Sequence, residues 1–159
     1  MEVKTGYLYH IKDEFFDKVN DEKLMSNHEK GKKRPTYFTI KDNNILWFIP
    51  ISSKVQKYQK VINDKVKKHG KCNTIFIREI LNNKAAILFQ NTFPTLEKYI
   101  DHVHTLNNAP ARVSDVLKNE ILDNFNELMK LKSKGINLFF TDIDKIKSIM
   151  EQELNEIKK

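Results

Sequence analysis

One cysteine, Cys72, stands in the 159-residue chain, which excludes an internal disulfide and predicts a reducing compartment. Glycine and proline are scarce, with four of each, so long flexible or proline-rich linkers are not expected and residues 1–159 read as one domain. No apolar run approaches the roughly 20 residues needed to cross a bilayer. The segment Met1–Tyr7 lacks the apolar stretch of a signal peptide. The expectation is a cytoplasmic protein with no membrane partner. Three common chemistries are also missing from the pattern: there is no Gly-rich phosphate loop, no paired-cysteine zinc motif and no G-x-S-x-G elbow. Negative charge is in short supply too, with 21 acidic side chains against 28 Lys and Arg and a formal net charge of +7.

That excess favours a polyanionic partner. It is concentrated between residues 54 and 71, where Lys54, Lys57, Lys60, Lys65, Lys67, Lys68 and Lys71 face a single acid, Asp64. So much like charge repels itself unless an anion neutralises it. Lys60, Lys65, Lys67 and Lys68, with Lys30 and Lys32 further upstream, are the candidate contacts to a nucleic-acid backbone.

The pattern of elements runs from strands to helices. Tyr7–Ile11 reads as a short strand, and Asp13 is placed to cap a brief helix through Val19. Residues 20 to 33 are polar and without period, and predict a mobile loop. Tyr37–Ile40 and Ile45–Ile49 flank Asp42, Asn43 and Asn44, which tolerate the left-handed backbone of a hairpin turn. Pro50 is expected to end the second strand, since it cannot donate to a ladder. A lysine-rich helix follows to His69 and Gly70. A second hairpin runs from Asn73–Ile80 to Ala85–Gln90, and Phe93-Pro94 is expected to break the strand. In the last third, Val113, Val116, Leu117, Ile121, Leu122, Phe125 and Leu128 recur at helical spacing, and Gly135 is placed as a left-handed cap. Thr141 or Asp142 can cap a final helix. The fold class is α+β: a compact twisted antiparallel sheet packed with helices, with a helical C-terminal third.

One constellation stands out. Lys32, Lys33 and Arg34 precede the first hairpin, and Ser52, Ser53, Lys54 and Lys57 follow it. In an antiparallel hairpin the two strand ends away from the turn are adjacent. The sequence thus brings cations and two hydroxyls to one end of the sheet. Arginine grips a phosphate with a planar fork, lysine acts as a point charge, and a serine hydroxyl can donate to a non-bridging oxygen. Cleavage of RNA without a metal uses the 2′-hydroxyl as nucleophile, and preorganised charge supplies much of the catalysis. His102 and His104 form an H-x-H pair, read as two exposed side chains near a helix end. His10 reads as a rim residue. Neither predicts a metal site, and no cofactor is expected.

The same residues resemble the ToxN/AbiQ family of type III toxin–antitoxin endoribonucleases. Leu8–Phe16 is similar to that family's opening strand and helix. Lys33-Arg34-Pro35 resembles its basic approach to the first hairpin, and Ile49-Pro50-Ile51-Ser52-Ser53 its proline–aliphatic–hydroxyl–Ser motif. Asn83–Phe89 with Phe93-Pro94 resembles its later hairpin. The resemblance implies metal-independent cleavage to a 2′,3′-cyclic phosphate and a 5′-hydroxyl. It implies inhibition by a repeat-encoded pseudoknot antitoxin RNA, which the enzyme processes. It further implies a closed protein–RNA ring and a role against phage. It places Ser52 and Ser53 at the hydroxyl pair, and Lys33 or Arg34 at the basic position. Where the family places proline then lysine after the second hydroxyl, this chain has Lys54 and Val55, with Lys57 beyond, so Lys54 or Lys57 carries the next charge. Phe15 falls where some members have tyrosine. The alternatives are a basic RNA-binding module without catalysis and a basic face for an acidic protein.

Overall fold

The computed structural model describes residues 2–29 and 31–157. The elements in chain order are β1 (Leu8–Ile11), α1 (Asp13–Val19), β2 (His28–Glu29), β3 (Lys32–Lys33), β4 (Thr36–Asp42), β5 (Ile45–Ser52), α2 (Val55–His69), β6 (Ile75–Ile80), β7 (Asn83–Leu88), β8 (Phe93–Thr95), β9 (Ile100–Val103), β10 (Thr105–Leu106), β11 (Ala109–Pro110), α3 (Asp115–Ser133) and α4 (Ile143–Ile157). The α+β class and the helical C-terminal third are as the sequence predicts.

Asparagine sets the turns. Asn43 and Asn44 take φ of 51° and 68° between β4 and β5, and Asn107 and Asn108 take 53° and 65° between β10 and β11. Two successive left-handed residues match the twist of a two-residue hairpin, and Asn tolerates them best after Gly. The second large hairpin turns at Leu81 and Asn82, with φ of 54° and 69°. A leucine there is strained.

The main sheet runs β6–β7–β5–β4–β1–β9, with β8 added to β5. All its pairs are antiparallel. The strand β5 is the hub, buried over its whole length. Helix α3 covers it through Trp47 and Phe125, with centroids 6.0 Å apart. Phe48 lies 6.0 Å from Phe93, which in turn lies 5.2 Å from Phe15 of α1. Burial on both faces is why Ile45–Ile51 is apolar without alternation.

Pro50 does not end β5, which continues to Ser52. It falls where β5 changes neighbours, after Leu46–Phe48 pair with β8 and before Ile51 and Ser52 pair with β7. A missing N–H costs least at such a gap. Likewise Pro94 lies inside β8, opposite Trp47. Asp13 does not cap α1. Lys12 is the N-cap, and the Asp13 carboxylate instead accepts hydrogen bonds from Asn27 Nδ2 at 2.8 Å and His28 at 2.9 Å. The stretch expected to be a featureless loop contains the small β2–β3 hairpin. Its strands are too short to leave a periodic signal.

Helix α2 packs on β6 and β7 through Tyr58, against Ile75, Ala86 and Leu88. Gly70, at φ 81°, ends it in a left-handed cap. In α3 the buried positions are Leu117, Ile121, Phe125 and Leu128, a stripe narrower than expected, and Val116 is 82% exposed. Ser114 caps α3 by accepting from Leu117 N, and Asp142 caps α4 by accepting from Lys145 N at 3.2 Å.

Helix α4 also buries a charge. Glu153 accepts from Tyr99 Oη at 2.7 and 2.9 Å and is paired with Lys18 at 2.9 Å and with Lys98. Burial alone would raise its carboxyl, but Lys98, Lys18 and Tyr99 outweigh burial and hold it down to about 2. A carboxyl lowered on folding contributes stability above its unfolded value near 4.5, and loses it as pH falls toward 2. Glu153→Gln is therefore expected to cost about 2 to 3 kcal/mol at pH 7. It should also flatten the stability profile between pH 4.5 and 2, measured by urea unfolding.

Candidate active site

The end of the β4–β5 hairpin opposite its turn is where the serines and cations meet. Its anchor is Arg34, which precedes β4. Its backbone N–H donates to Asn27 O at 2.6 Å. Nε donates to Ser26 O at 2.9 Å, and Nη1 donates to Ile51 O at 3.1 Å and Glu29 Oε2 at 2.5 Å. The Arg34 and Glu29 side chains are only 6% and 10% exposed. The sequence pattern predicts Arg34 as a phosphate fork. Its side chain is a buried strut, with Nε and Nη1 spent on the chain itself, while the residue also lines the cavity described below.

Glu29 is the centre that the sequence pattern does not reveal. Its Oε2 accepts from Ser52 Oγ at 3.0 Å, and its Oε1 accepts from Ser53 N at 3.1 Å and Ser53 Oγ at 2.5 Å. Burial pushes this carboxyl up, but the two Ser53 donors, Arg34 and Ser52 together hold it below its ordinary range. It is ionised at neutral pH. Both serine hydroxyls therefore point their protons at Glu29 rather than outward, which corrects the expectation that they donate to a phosphate. Their oxygens keep lone pairs that can accept. The Ser52 oxygen uses one on Lys54 N at 3.1 Å.

Glu29 reaches this place because Asn27 fixes the β2–β3 hairpin. Asn27 Nδ2 donates to Ile11 O at 2.8 Å as well as to Asp13. Nothing in the polar run of residues 20 to 33 marks Glu29 among its acidic neighbours.

A cavity of about 560 Å³ opens beside this cluster. Glu29, Ser52 and Ser53 line it together with Lys32, Lys33 and Arg34 and with Asn83, Lys84 and His104. The sheet explains Lys84: β7 pairs with β5 at Ser52 and Ala86, two residues further on. Lys33 is not a free cation, since its ammonium donates to Asp101 at 2.7 Å and is held charged by that bond. Lys54 and Lys57 line a second, shallow cavity of about 480 Å³ at the first turn of α2, which Ser53 also lines. Of the backbone candidates, Lys60, Lys67 and Lys68 are exposed along α2. Among the described residues they have no carboxylate within 4.0 Å. Lys65 is tied down by Thr74 and Gln90. Lys30 lies outside the described residues.

Of the H-x-H pair, His102 is exposed as the sequence predicts and His104 is half-buried, but the two lie at the end of a strand rather than of a helix. His102 lies in β9 and His104 just beyond it, and β9 pairs with β1, so His10 joins them. His10 is 7% exposed, stacked on His102 at 4.7 Å, with Nε2 2.8 Å from His104 Nδ1. Its own Nδ1 is buried without a partner. Among the described residues no group of three or more His, Cys, Asp or Glu is placed to hold a metal ion. Burial, with repulsion from His104 and His102, pushes His10 down to about 4, and burial lowers His104 as well. A histidine lowered on folding adds nothing above its unfolded value near 6.5. Below that it destabilises, because the unfolded chain takes the proton first. His10→Phe is expected to remove about 2 to 3 kcal/mol of the stability loss between pH 6.5 and 4, followed by thermal melts across that window.

No family model matches the chain, and no curated protein sequence matches it. A match does emerge among solved structures. The fold is that of AbiQ, a lactococcal anti-phage endoribonuclease belonging to a type III toxin–antitoxin system. The TM-score is 0.74 over 96% of this chain and 99% of that one, with 13% of residues identical. At that identity the likeness establishes the fold.

Proposed function

We propose that this chain is an endoribonuclease toxin of a type III toxin–antitoxin system, cutting RNA without a metal. One observation carries the reading: Ser53 stands between a cavity rimmed by Lys32, Lys84 and His104 and the lysine-bearing first turn of α2, in a fold shared with an endoribonuclease. The phosphate sits at that turn. No acid occupies the first turn, so the partial positive charge of the helix end acts with Lys54 or Lys57. Both lysines remain candidates, and Lys84 joins them from the other rim. The Ser53 oxygen, its own proton committed to Glu29, accepts from the attacking 2′-hydroxyl and fixes its direction.

His104 is the group put forward to take that proton as the 2′-oxygen attacks, the hydrogen bond to Ser53 giving way to it. With Nδ1–H donating to His10 Nε2, its Nε2 keeps a free lone pair, and the residue lines the cavity. Its lowered pKa keeps it neutral at pH 7. Charge at phosphorus is met by the ammonium groups, the P–O5′ bond breaks as the 2′-oxygen–phosphorus bond forms, and the departing 5′-oxygen takes its proton from water. The products are a 2′,3′-cyclic phosphate and a 5′-hydroxyl. The basic face of α2 then fits an antitoxin RNA, a repeat-encoded pseudoknot processed and held at the same site in a closed protein–RNA ring. The same reading carries an anti-phage role in the cytoplasm.

The test is cleavage of a structured RNA by the purified protein in excess EDTA. The expected result is fragments ending in cyclic phosphate, with rates that hold below pH 6.5 before falling, since the base must be neutral. Cleavage that needs added metal defeats the mechanism. Salt-sensitive binding of an RNA that stays intact selects the non-catalytic binding module instead.

A further inference from the structure

At the far end of α2 lies a third cavity, of about 530 Å³, lined by Lys65, Lys71, Asn73, Asn137, Ile136 and Phe140 among others. It is separated from Ser53 by the length of α2, 15 residues and so about 22 Å. Three features distinguish it from an ordinary surface dent.

The first is Phe140. It is 52% exposed, and Ile136 beside it is 51% exposed, while the adjacent Phe139 is buried in the core at 6%. The exposed ring is held on a fixed frame. The Phe140 N–H donates to Gln90 O at 2.7 Å, Thr141 Oγ1 donates to Thr92 O at 2.6 Å, and Phe139 N donates to Asn137 Oδ1 at 3.0 Å. The second is Lys65. Its ammonium donates to Thr74 Oγ1 at 2.8 Å and Gln90 Oε1 at 2.7 Å, and lies 5.1 Å from the Phe140 ring centroid. Thr74 and Gln90 are buried, and no carboxylate pairs with this cation among the described residues. An ammonium has three donors, so one is left to meet a ligand. The third is the pair of carboxamides. Asn137 uses only its oxygen, and no side-chain partner of Asn73 occurs among the described residues, which leaves donors and acceptors suited to a base edge.

We infer that this cavity is a nucleobase-binding platform for single-stranded RNA, in which a base stacks on the open face of Phe140 and Lys65 and Lys71 meet its flanking phosphates. A flat aromatic ring among cations is what a single strand needs, because every base offers a π-face and every linkage a charge. The exposed lysines of α2 connect this platform to the cleavage cavity. The inference rests on RNA being the substrate, and it adds a second, non-catalytic contact a few nucleotides from the cut. An acidic protein segment would use the lysines but gains nothing from the ring and the carboxamides.

The probe is a ten-nucleotide, fully 2′-O-methylated oligoribonucleotide with a fluorescent end label, which binds without being cut, so the result does not depend on cleavage. Phe140→Ala in the full chain is expected to weaken binding about tenfold without changing the salt dependence, since the ring contacts no phosphate. Phe140→Trp should keep the affinity, and its indole emission should be quenched on binding. The native Trp47 is buried, so the change reports position 140. Unaltered affinity in Phe140→Ala, or binding without quenching in Phe140→Trp, overturns the platform. So does no binding of the oligonucleotide at all, or quenching by poly-glutamate alone. If the wild type binds this probe through Phe140 yet cuts no RNA, the platform stands and the nuclease reading fails.

Discussion

Ser53→Ala is expected to slow RNA cleavage by about 100- to 1,000-fold, the usual loss when one positioned hydrogen-bonding group is removed from a transition state. The loss should fall on kcat. Ser53 is one contact among many, and RNA affinity, dominated by lysines, should stay within about tenfold. The substitution leaves the Ser53 N–H on Glu29, so the local frame survives. Quenched-flow or gel-based rates at saturating RNA, with affinity measured separately, make the distinction. Ser52→Ala provides the contrast. Its hydroxyl is buried and spent between Glu29 and Lys54 N, so its removal should lower stability more than rate. Cleavage by Ser53→Ala at the wild-type rate would place the chemistry elsewhere. Lys54→Ala, Lys57→Ala and Lys84→Ala, taken singly, then show which cation meets the phosphate.

Glu29→Ala is expected to destabilise the protein by about 3 to 5 kcal/mol, read as a lower urea midpoint. Arg34 would be left as a buried charge with only carbonyl oxygens, and two serine hydroxyls would lose their acceptor. Breaking a buried pair on one side costs far more than removing both sides. Glu29→Ala combined with Arg34→Met should therefore recover much of the loss. A drop below about 1 kcal/mol in Glu29→Ala would show that Arg34 is solvated and the pair is not a strut. Activity should fall in both variants, since Ser53 loses its orientation.

The large hairpin frame was legible because its signals are local. Asn43-Asn44 marks a turn by its own backbone preference, and the unbroken run Ile45–Ile51 marks a strand covered on both faces. Even the convergence of Arg34 with Ser52 and Ser53 follows from antiparallel pairing alone. Glu29 was not legible, because two-residue strands have no period and its position is set by Asn27 and Asp13, distant in sequence from Ser53. Lys84 depended on the register of β7 against β5, which a sequence does not print. His104 was visible as part of an H-x-H pair but was placed on a helix end. The strand pairing of β9 with β1, which brings His10 beneath it, gives that pair its meaning. Pro50 and Pro94 misled for a common reason: a proline forbids one ladder bond, and both sit where β-structure continues around it.

The hub strand has a consequence for the order in which the working protein comes into being. The strand β5 carries Ser52 and leads into Ser53, but the edge it turns away from β4 is covered by strands made long after it, by Phe93–Thr95 of β8 along its first half and by Ala86 and Ile87 of β7 at its end. His104 is translated later still. A ribosome that has already released Ser53 has yet to supply Lys84 and His104, which line the same cavity, so the proposed orienting oxygen precedes the proposed proton acceptor in synthesis. On the proposed mechanism the site is completed only after most of the chain has emerged from the ribosome.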